Sequence, residues 1–196
     1  ERLAKAAAFL RLKYVVVTSV TRDELEDGGA GHLAETIREV RKLLPGSGIE
    51  VLIPDFQGEA SALKTVIEAA PRVINHNIET HPDLYPNIRP QADYQQSIQL
   101  LEKVQAAGIT AKSGFMVGLG ENDEQVEELL HTLKQSGCSM VTIGQYMRPS
   151  MQHPQARRYV HTEYFASYAA IGNKIGIPYV FSAPLVRRRY EYLHSA

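Results

Sequence analysis

The stretch TAKSGFMVGLGEND, residues 110–123, decides the fold that the sequence predicts. It opens as a short strand, passes through Gly114, Gly118 and Gly120, and ends with acidic residues typical of a helix start. A strand, a glycine-rich turn and a helix are how α/β proteins hold a small molecule at the carboxyl end of a sheet. The stretch therefore predicts an α/β fold with a ligand site at the strand ends.

The same layout recurs on both sides of this stretch. Apolar, β-branched segments without polar alternation predict buried parallel strands. They lie at 14–18, 50–54, 73–78, 140–145 and 178–182. Helical spacing of apolar residues predicts helices at 1–12, 32–44, 59–70, 92–107 and 123–137, with a last one that Thr162 caps. Alternating strands and helices indicate a parallel sheet with right-handed crossovers.

Two closures of such a sheet fit the alternation, an open doubly wound sheet and a partial or full barrel. Polar and glycine residues follow nearly every strand and are not confined to one switch point, which favours the barrel. No change of composition suggests a linker, so we predict one domain over residues 1–196, with a C-terminal tail at 183–196.

Composition restricts the classes of partner. The chain has 196 residues, 44% of them hydrophobic and 22% charged, with a formal net charge of -1. This balance is ordinary for a globular domain and favours neither nucleic acid nor a membrane surface as partner. The single cysteine, Cys138, excludes an internal disulfide framework and fits a reducing compartment. We expect a cytoplasmic protein, or a mitochondrial one in a eukaryote.

Polar side chains and glycines collect at the predicted strand ends. They are Asp23, Asp27, Gly28, Gly29, Asp55, Gln57, Asn75, Asn77, Glu79, Lys112, Ser113, Gly118, Glu121, Gln145, Tyr146 and Arg148. This hydrogen-bonding set suits a polar cofactor with an amine, a carboxylate and a ribose. Neither a Walker loop nor a GxGxxG fingerprint is present, and no Ser-His-Asp or Cys-His order can be recognised.

Several of these features also have a purely structural interpretation. The pair Gly28-Gly29 is equally typical of an ordinary turn. His76 and His81 flank Glu79 as metal ligands would, but strand alternation points His76 away from its neighbours and favours a structural role. Cys138 is expected to be a small buried hydrophobic residue. We therefore predict no metal site within the chain.

Seven stretches together resemble lipoyl synthases, a family of radical S-adenosylmethionine enzymes. The stretches are YVVVTSVTRDELEDGGAGH (14–32), EVLIPDFQG (50–58), NHNIET (75–80), YPNIRPQADY (85–94), KSGFMVGLGE (112–121), TIGQYMRPS (142–150) and APLVR (183–187). The resemblance covers nearly the whole chain. It implies a partial (β/α)6 TIM-type barrel of the radical SAM type, here without its first strand.

The resemblance also implies an activity. The family carries two 4Fe-4S clusters, one of which, held by a CxxxCxxC motif, reductively cleaves S-adenosylmethionine to a 5'-deoxyadenosyl radical. The radical abstracts hydrogen from C6 and C8 of an octanoyl chain on a lysine of a lipoyl domain or carrier protein. The second, auxiliary cluster supplies the sulfur. The implied partners are the octanoylated carrier and an electron donor.

The resemblance assigns site residues by position. The segment Asp27-Gly28-Gly29-Ala30 stands where these enzymes place a glycine pair against the methionine amine. Gly114 to Glu121 matches their GxIxGxxE pattern, which lines the adenine, and includes Met116 in the apolar slot and Gly118. Asn77, Glu79 and Lys112 match polar positions that contact the ribose or the methionine. Glycine permits close backbone approach, and acids accept from an ammonium or hydroxyls.

The sequence departs from the family in two places. The cysteine ligands are missing, since Cys138 fits neither motif, and in the family both cysteine sets lie upstream of the segment that begins this chain. The family's Arg-Ser-Ser-Tyr motif, whose serine ligates the auxiliary cluster, reads Arg187-Arg188-Arg189-Tyr190. A guanidinium cannot ligate iron because it stays protonated and has no free lone pair.

These departures leave two function classes open. In the first, the chain is a fragment of a lipoyl synthase, active only with the missing cysteines restored, and we expect the fragment alone to be inactive. In the second, it is a diverged, non-catalytic barrel that binds S-adenosylmethionine or a carrier protein. The tail fits either a diverged paralogue or a frameshift or sequencing error.

Overall fold

A computed structural model of the chain describes residues 1–186, and strands and helices alternate through that range as predicted. The strands are β1 (Tyr14–Thr18), β2 (Gly48–Leu52), β3 (Val73–Asn75), β4 (Thr110–Val117), β5 (Met140–Gln145) and β6 (Tyr179–Ser182). The helices are α1 (Arg2–Phe9), α2 (Ala30–Leu43), α3 (Ala60–Glu68), α4 (Tyr85–Ile88), α5 (Tyr94–Ala106), α6 (Asp123–Gln135) and α7 (Thr162–Lys174). Single turns of 3-10 helix occupy Phe56–Gly58 and Pro82–Leu84. The altered motif at Arg187–Tyr190 lies outside the described residues.

The chain divides into two compact units. The first unit contains Glu1–His76 and Lys103–Ala111, and the second contains Asn77–Glu102 and the described residues from Lys112 onward. The prediction of a single domain with a tail stays a prediction.

In the first unit, β1, β2 and β3 lie side by side and run parallel. Val51 of β2 is in register with Val17 of β1 and Ile74 of β3, and its side chain is fully buried. Helix α2 adds Ile37 and Val40, which are also fully buried. The unit is held together chiefly by these apolar contacts, because burying each such side chain contributes about 1.5–3 kcal/mol.

In the second unit, β4, β5 and β6 form a second parallel set. Val141 of β5 is in register with Ser113 of β4 and Val180 of β6. Helix α6 buries Leu129, Leu130 and Leu133 among other residues. Asn122 caps this helix in a reciprocal capping box with Gln125, which satisfies two amide groups that a helix start leaves without partners.

The strand predicted over 73–78 ends early, at Asn75. The amides of Ile78 and Glu79 both donate to the Gly114 carbonyl oxygen, at 3.1 Å each, so the chain here leaves the regular ladder pattern. Glu79 also has a φ of +66°, which no regular strand residue adopts. An irregular connection to β4 therefore replaces the last three residues of the predicted strand.

The predicted cap of the last helix is wrong by one residue. Thr162 is the first residue of α7, and His161 occupies the N-cap position without a side-chain hydrogen bond to the helix. Glu163 lies in the first turn, as predicted, and favours the helix through the positive end of its dipole.

No helix within residues 1–186 has the length and apolar character that crossing a membrane requires.

Candidate functional site

The second unit contains an open pocket of about 450 Å³ beside β4 and β5. It is lined by Asn77, Glu79, Gly114, Phe115, Met116, Thr142, Gly144, Gln145, Met147, Pro184, Leu185 and Val186. This volume lies in the range of small-molecule binding sites. Such sites usually combine apolar walls with a few polar groups, as this pocket does.

Glu79 enters this pocket from a strained backbone. Its φ of +66° is in the left-handed region, which costs a residue with a side chain on the order of 1–3 kcal/mol. Strand β4 engages both the amide and the carbonyl group of this residue. The Glu79 amide donates to Gly114 O at 3.1 Å, and the Met116 amide donates to Glu79 O at 2.8 Å. The direction of the Glu79 side chain is thus fixed by main-chain contacts.

The Glu79 carboxyl sits in an environment of opposing effects. Burial raises its pKa above the usual range, while the positive charge of Arg89 and a hydrogen bond from the Asn77 side chain act in the lowering direction. The guanidinium of Arg89 lies over the Tyr85 ring, with Cζ 5.5 Å from the ring centroid. It donates to the Asn77 carbonyl oxygen at 3.4 Å.

Asn77 supplies a buried acceptor that has no protein partner. Its Oδ1 atom is fully enclosed, and no described group donates to it. Gly114 faces this atom, because a Cβ at Gly114 would lie 3.2 Å from Asn77 Oδ1 and 2.4 Å from Thr142 Oγ1. The glycine leaves space for two oxygens that can meet the hydroxyl or amine of a ligand.

The loop after β4 has an internal role. The Glu121 carboxylate is buried and accepts from the amides of Gly118 at 2.6 Å, Leu119 at 2.9 Å and Gly120 at 3.1 Å. A Cβ at Gly118 would lie 2.4 Å from Gln145 Nε2 and 2.5 Å from Arg158 O. Gly118 and Glu121 therefore shape the loop beside the pocket and do not line it.

The remaining predicted residues on β4 and β5 differ in whether they line the pocket. Met116 lines the pocket with Gly114, as an apolar contact to a ring would require. Lys112 is 2% exposed, pairs with Met140 along the strand and is not among the lining residues. Gln145 lines the pocket, but its amide group donates to Tyr146 O and Arg158 O and accepts from the Val160 amide.

The glycine pair lies in the first unit. Gly28 and Gly29 have φ values of +58° and +84°, so the turn itself requires glycine there. A Cβ at Gly28 would also lie 2.8 Å from the Phe56 ring. Asp27 is exposed, and its two carboxylate oxygens accept from the amides of Gly29 and Gly31 at the start of α2. Both hydrogen bonds lower its pKa.

The first unit also has a smaller pocket of about 180 Å³ next to Gly28. Asp23, Glu26 and Glu59 are among its lining residues, so its rim is acidic. Glu59 is engaged in capping α3 through the Ser61 amide and hydroxyl.

The residues present do not fit an iron–sulfur cluster. Burial raises the pKa of Cys138 to about 12, and its thiol donates to the Met140 carbonyl oxygen at 3.2 Å, so it is not poised as a thiolate ligand. Among residues 1–186, no group of three or more His, Cys, Asp or Glu side chains is placed to hold a metal ion. His76 instead contacts Ile53 O at 3.0 Å, and His81 contacts Glu128 at 3.1 Å.

Reasoning from the sequence missed Arg89, Tyr85 and Thr142. Thr142 lies inside β5 and not at its end, so no neighbouring glycine marks it as a site residue. It lines the pocket because side chains alternate between the two faces of a strand. Arg89 and Tyr85 belong to YPNIRP, where a tyrosine and an arginine four residues apart on one helical turn indicate a contact pair. The apolar side of the pocket, formed by Met147, Leu185 and others, was also not predicted.

Comparison with known proteins gives a family profile and close relatives. Residues 1–133 match the profile of the Radical SAM superfamily. The chain is 62% identical over 190 residues to the lipoyl synthase of Nitratidesulfovibrio vulgaris strain Hildenborough, covering 97% of the chain and 64% of that relative. It is 54% identical over 192 residues to the lipoyl synthase of Caldanaerobacter subterraneus, covering 97% of the chain and 67% of the relative. The chain thus spans about two thirds of the length of these relatives.

Solved structures confirm the predicted fold. Streptococcus suis SuiB is similar with a TM-score of 0.71 at 11% identity, over 92% of this chain and 41% of that one. Methylornithine synthase (PylB) is similar with a TM-score of 0.69 at 12% identity, over 98% of this chain and 66% of that one. One SuiB structure is described as bound to S-adenosylmethionine. At such identities the likeness shows the fold alone.

Proposed function

Because the chain belongs to the lipoyl synthase family of the radical SAM superfamily, we propose that the whole protein makes the lipoyl cofactor. It would insert two sulfur atoms at C6 and C8 of a protein-bound octanoyl chain. The observation that carries this proposal is the 62% identity over 97% of the chain to a lipoyl synthase. The activity is proposed for the whole protein, since the chain spans only 64% of that relative.

S-adenosylmethionine fits the residues of the second unit. The buried acceptor Asn77 Oδ1 lacks a protein donor, and a ligand hydroxyl or amine would supply one. The Glu79 carboxyl can accept from the ribose hydroxyls or the ammonium. Met116 supplies an apolar wall that suits a flat ring. When bound, this cofactor supplies a carbon-centred radical that abstracts hydrogen from the substrate.

The first unit contributes less direct support. The resemblance places Gly28 and Gly29 at the methionine amine, and their left-handed backbone is compatible with an exposed turn that a ligand approaches. Their geometry is also fully explained by the turn and by Phe56. The proposed cofactor contact of the glycine pair therefore rests on the resemblance.

The two 4Fe-4S clusters of the family would need ligands that these 196 residues do not contain, because the chain has one cysteine and it is buried. No step of the reaction is assigned to Cys138. We propose an octanoylated lipoyl domain or carrier protein and an electron donor as partners, and a cytoplasmic site of action. The alternative function is a non-catalytic barrel that binds S-adenosylmethionine or a carrier.

A direct experiment separates the two functions. The full-length protein would be reconstituted with iron and sulfide without oxygen and assayed for S-adenosylmethionine binding, 5'-deoxyadenosine and conversion of an octanoyl-lysine peptide. Lipoyl synthase activity predicts all three. Binding without 5'-deoxyadenosine would support the non-catalytic barrel and contradict the enzyme.

Two variants test the pocket in the same assay. Glu79→Gln is expected to weaken binding about tenfold or more, since hydrogen bonds to charged groups contribute about 1.5–3 kcal/mol. Glu127→Gln makes the same chemical change on α6, where Glu127 pairs only loosely with His131 at 3.8 Å, and should leave binding unchanged. If both variants bound S-adenosylmethionine with the same affinity, Glu79 would not be part of the binding site.

A further inference from the structure

The segment from Asn77 to Glu79 is held on two sides, and only one of them is the strand β4. On the β4 side, the Gly114 carbonyl and the Met116 amide fix the backbone of Glu79. On the other side, the Tyr85 hydroxyl donates to Ile78 O at 2.6 Å, and Arg89 donates to Asn77 O at 3.4 Å. Both outer contacts come from α4 or the residue that follows it.

Arg89 is itself held in place. Its guanidinium lies over the Tyr85 ring and also donates to the Tyr85 hydroxyl at 3.4 Å. The Tyr85 ring in turn packs edge-on against Tyr94, with centroids 5.4 Å apart. Burial raises the pKa of Tyr85 to about 12, so the phenol stays protonated and remains a donor near neutral pH. A cation between an aromatic face and a carbonyl oxygen has little freedom to move.

The charge of Arg89 acts on Glu79. Among the groups that influence this carboxyl, Arg89 has the largest effect in favour of the ionised form, followed by the Asn77 side chain, and burial opposes both. The lining residues from β4 and β5 include Gly114, Met116 and Thr142 and carry no charge, and the buried Lys112, on the same face of β4, does not line the pocket. Arg89 therefore favours a carboxylate at a place where burial favours the acid.

We propose that Arg89 is a positioning residue of this pocket, which holds the Asn77 carbonyl and places a positive charge beside the segment from Asn77 to Glu79, so that Glu79 is directed toward a ligand that donates hydrogen bonds from hydroxyls or a cationic amine. This inference rests on the proposed binding of S-adenosylmethionine at the pocket. Arg89 is not itself among the lining residues, so it acts through Glu79 and the Asn77 carbonyl.

Two roles of the α4 contacts can be separated by substitution. Tyr85→Phe removes the hydrogen bonds that the hydroxyl makes with Ile78 O and Arg89 but leaves the charge of Arg89 in place. Arg89→Gln removes the charge and leaves an uncharged, shorter side chain that still carries a donor. Arg89→Lys keeps the charge but loses the planar group that fits over the Tyr85 ring.

The test measures the dissociation constant of S-adenosylmethionine by calorimetry, on the full-length holoprotein, from about pH 6 to about pH 9. Each variant is compared with the wild type at the same pH, because the ratio of the two constants cancels the titration of the ligand. Without the Arg89 charge, the pKa of Glu79 is raised further, so a smaller fraction of Glu79 is ionised near neutral pH. Its ionised fraction recovers as the pH rises through that raised pKa.

Arg89→Gln is therefore expected to bind S-adenosylmethionine more weakly than the wild type near neutral pH, by up to about tenfold, and to approach the wild-type affinity as the pH rises. Arg89→Lys is expected to restore most of the affinity at every pH. Tyr85→Phe should change the affinity by a factor that does not depend on pH.

A second measurement reads the carboxyl directly. Carbon-13 NMR of the side-chain carboxyl groups, in full-length protein without S-adenosylmethionine, follows the titration of Glu79, with Glu79→Gln identifying its signal. The midpoint is expected to move to higher pH in Arg89→Gln and to stay near the wild-type value in Tyr85→Phe.

The outcomes distinguish this inference from the proposed function. Suppose that Glu79→Gln weakens binding. The positioning role is then contradicted if the ratio of the Arg89→Gln and wild-type dissociation constants does not change with pH, or if the titration midpoint of Glu79 does not move in Arg89→Gln. If Glu79→Gln leaves binding unchanged, the pocket assignment itself fails, and the NMR midpoint then remains the test of whether Arg89 controls Glu79.

Discussion

The Glu121 carboxylate lies 2.6 Å from the amide nitrogen of Gly118 and closes the loop that leads from β4 into α6. Two more amides of the same loop donate to this carboxylate, and Arg158 lies 3.7 Å away on its other side. An acid in this motif is therefore an internal anion that organises backbone donors. This assigns Glu121 a structural task beside the proposed adenine wall.

Glu121→Ala is expected to destabilise the protein by roughly 3 kcal/mol, because it leaves buried amides without an acceptor. Glu121→Gln keeps one acceptor oxygen and should lose less. Urea unfolding followed by circular dichroism measures both changes. A loss below about 0.5 kcal/mol in the alanine variant, the range typical of surface sites, would contradict this role.

Two glycines with positive φ are expected to respond differently to alanine. Gly118 has φ +96°, and an added Cβ would lie 2.5 Å from Arg158 O, a main-chain atom. Gly108 has φ +75°, and an added Cβ would meet nothing within 4 Å. Gly108→Ala should therefore lose about 1 kcal/mol from backbone strain, and Gly118→Ala clearly more. Equal losses in thermal or urea unfolding would show that crowding at Gly118 is unimportant.

The start of α2 should loosen in acid through Asp27. The amides of Gly31 and Gly29 donate to this carboxylate and lower its pKa, so its folded-state pKa is below the unfolded value. Its stabilising contribution is present above the unfolded pKa and is lost as the pH falls through the folded pKa. The protection factor of the Gly31 amide, which corrects its exchange rate for the intrinsic slowing of exchange in acid, should fall over that range in the wild type.

Asp27→Asn should show faster exchange of this amide even at neutral pH and lose the acid dependence. Glu26→Gln, on the same exposed turn, serves as the matched change and should leave the Gly31 amide protected. If Asp27→Asn exchanged with the wild-type rate and pH profile, the carboxylate would not be holding the helix start.

Gly28 and Phe56 should be energetically coupled. A Cβ at Gly28 would lie 2.8 Å from Phe56 Cδ1, and Phe56 is 5% exposed. Gly28→Ala is expected to destabilise by about 1–3 kcal/mol from strain and contact. Phe56→Leu removes the ring, so the double variant should lose less than the sum of the two single variants. A double-mutant cycle on urea unfolding measures the coupling, and additive losses would contradict it.

This coupling bears on any ligand test at the glycine pair. A bulky residue at Gly28 disturbs the first unit through Phe56 whether or not a ligand binds nearby. Affinity changes at this position should therefore be compared with the double variant carrying Phe56→Leu, where the crowding is relieved.

The alternation of strands and helices could be predicted because buried parallel strands leave a clear pattern, as YVVVT does at β1. Boundaries were less accurate where tertiary hydrogen bonds decide them. The predicted strand over 73–78 ends at Asn75 because Ile78 and Glu79 turn their amides to Gly114 O, which local propensity does not encode. The start of α2, two residues earlier than predicted, depends on Asp27.

The candidate site was predictable in part. Asn77, Glu79, Gly114 and Met116 line one pocket. The strand-end argument singled out Asn77 and Glu79, and the resemblance to the family's glycine pattern added Gly114 and Met116. Arg89 was missed because it approaches Glu79 only once the loop between them has folded. The three prolines of this loop leave no helical or strand periodicity from which its conformation could be predicted. Gly118 and Glu121 were predicted to contact a ligand because they belong to the glycine pattern. In the structure their contacts instead fix the conformation of the loop after β4.

The left-handed backbone at Glu79 fixes the direction in which the side chain at this position leaves the main chain. Strand β4 contributes to this main-chain geometry, so a different side chain at position 79 would also start toward the pocket. Asparagine, which tolerates this conformation well, is the natural first exchange. The second unit can thus serve as a scaffold whose pocket chemistry is replaced one residue at a time while its shape is kept.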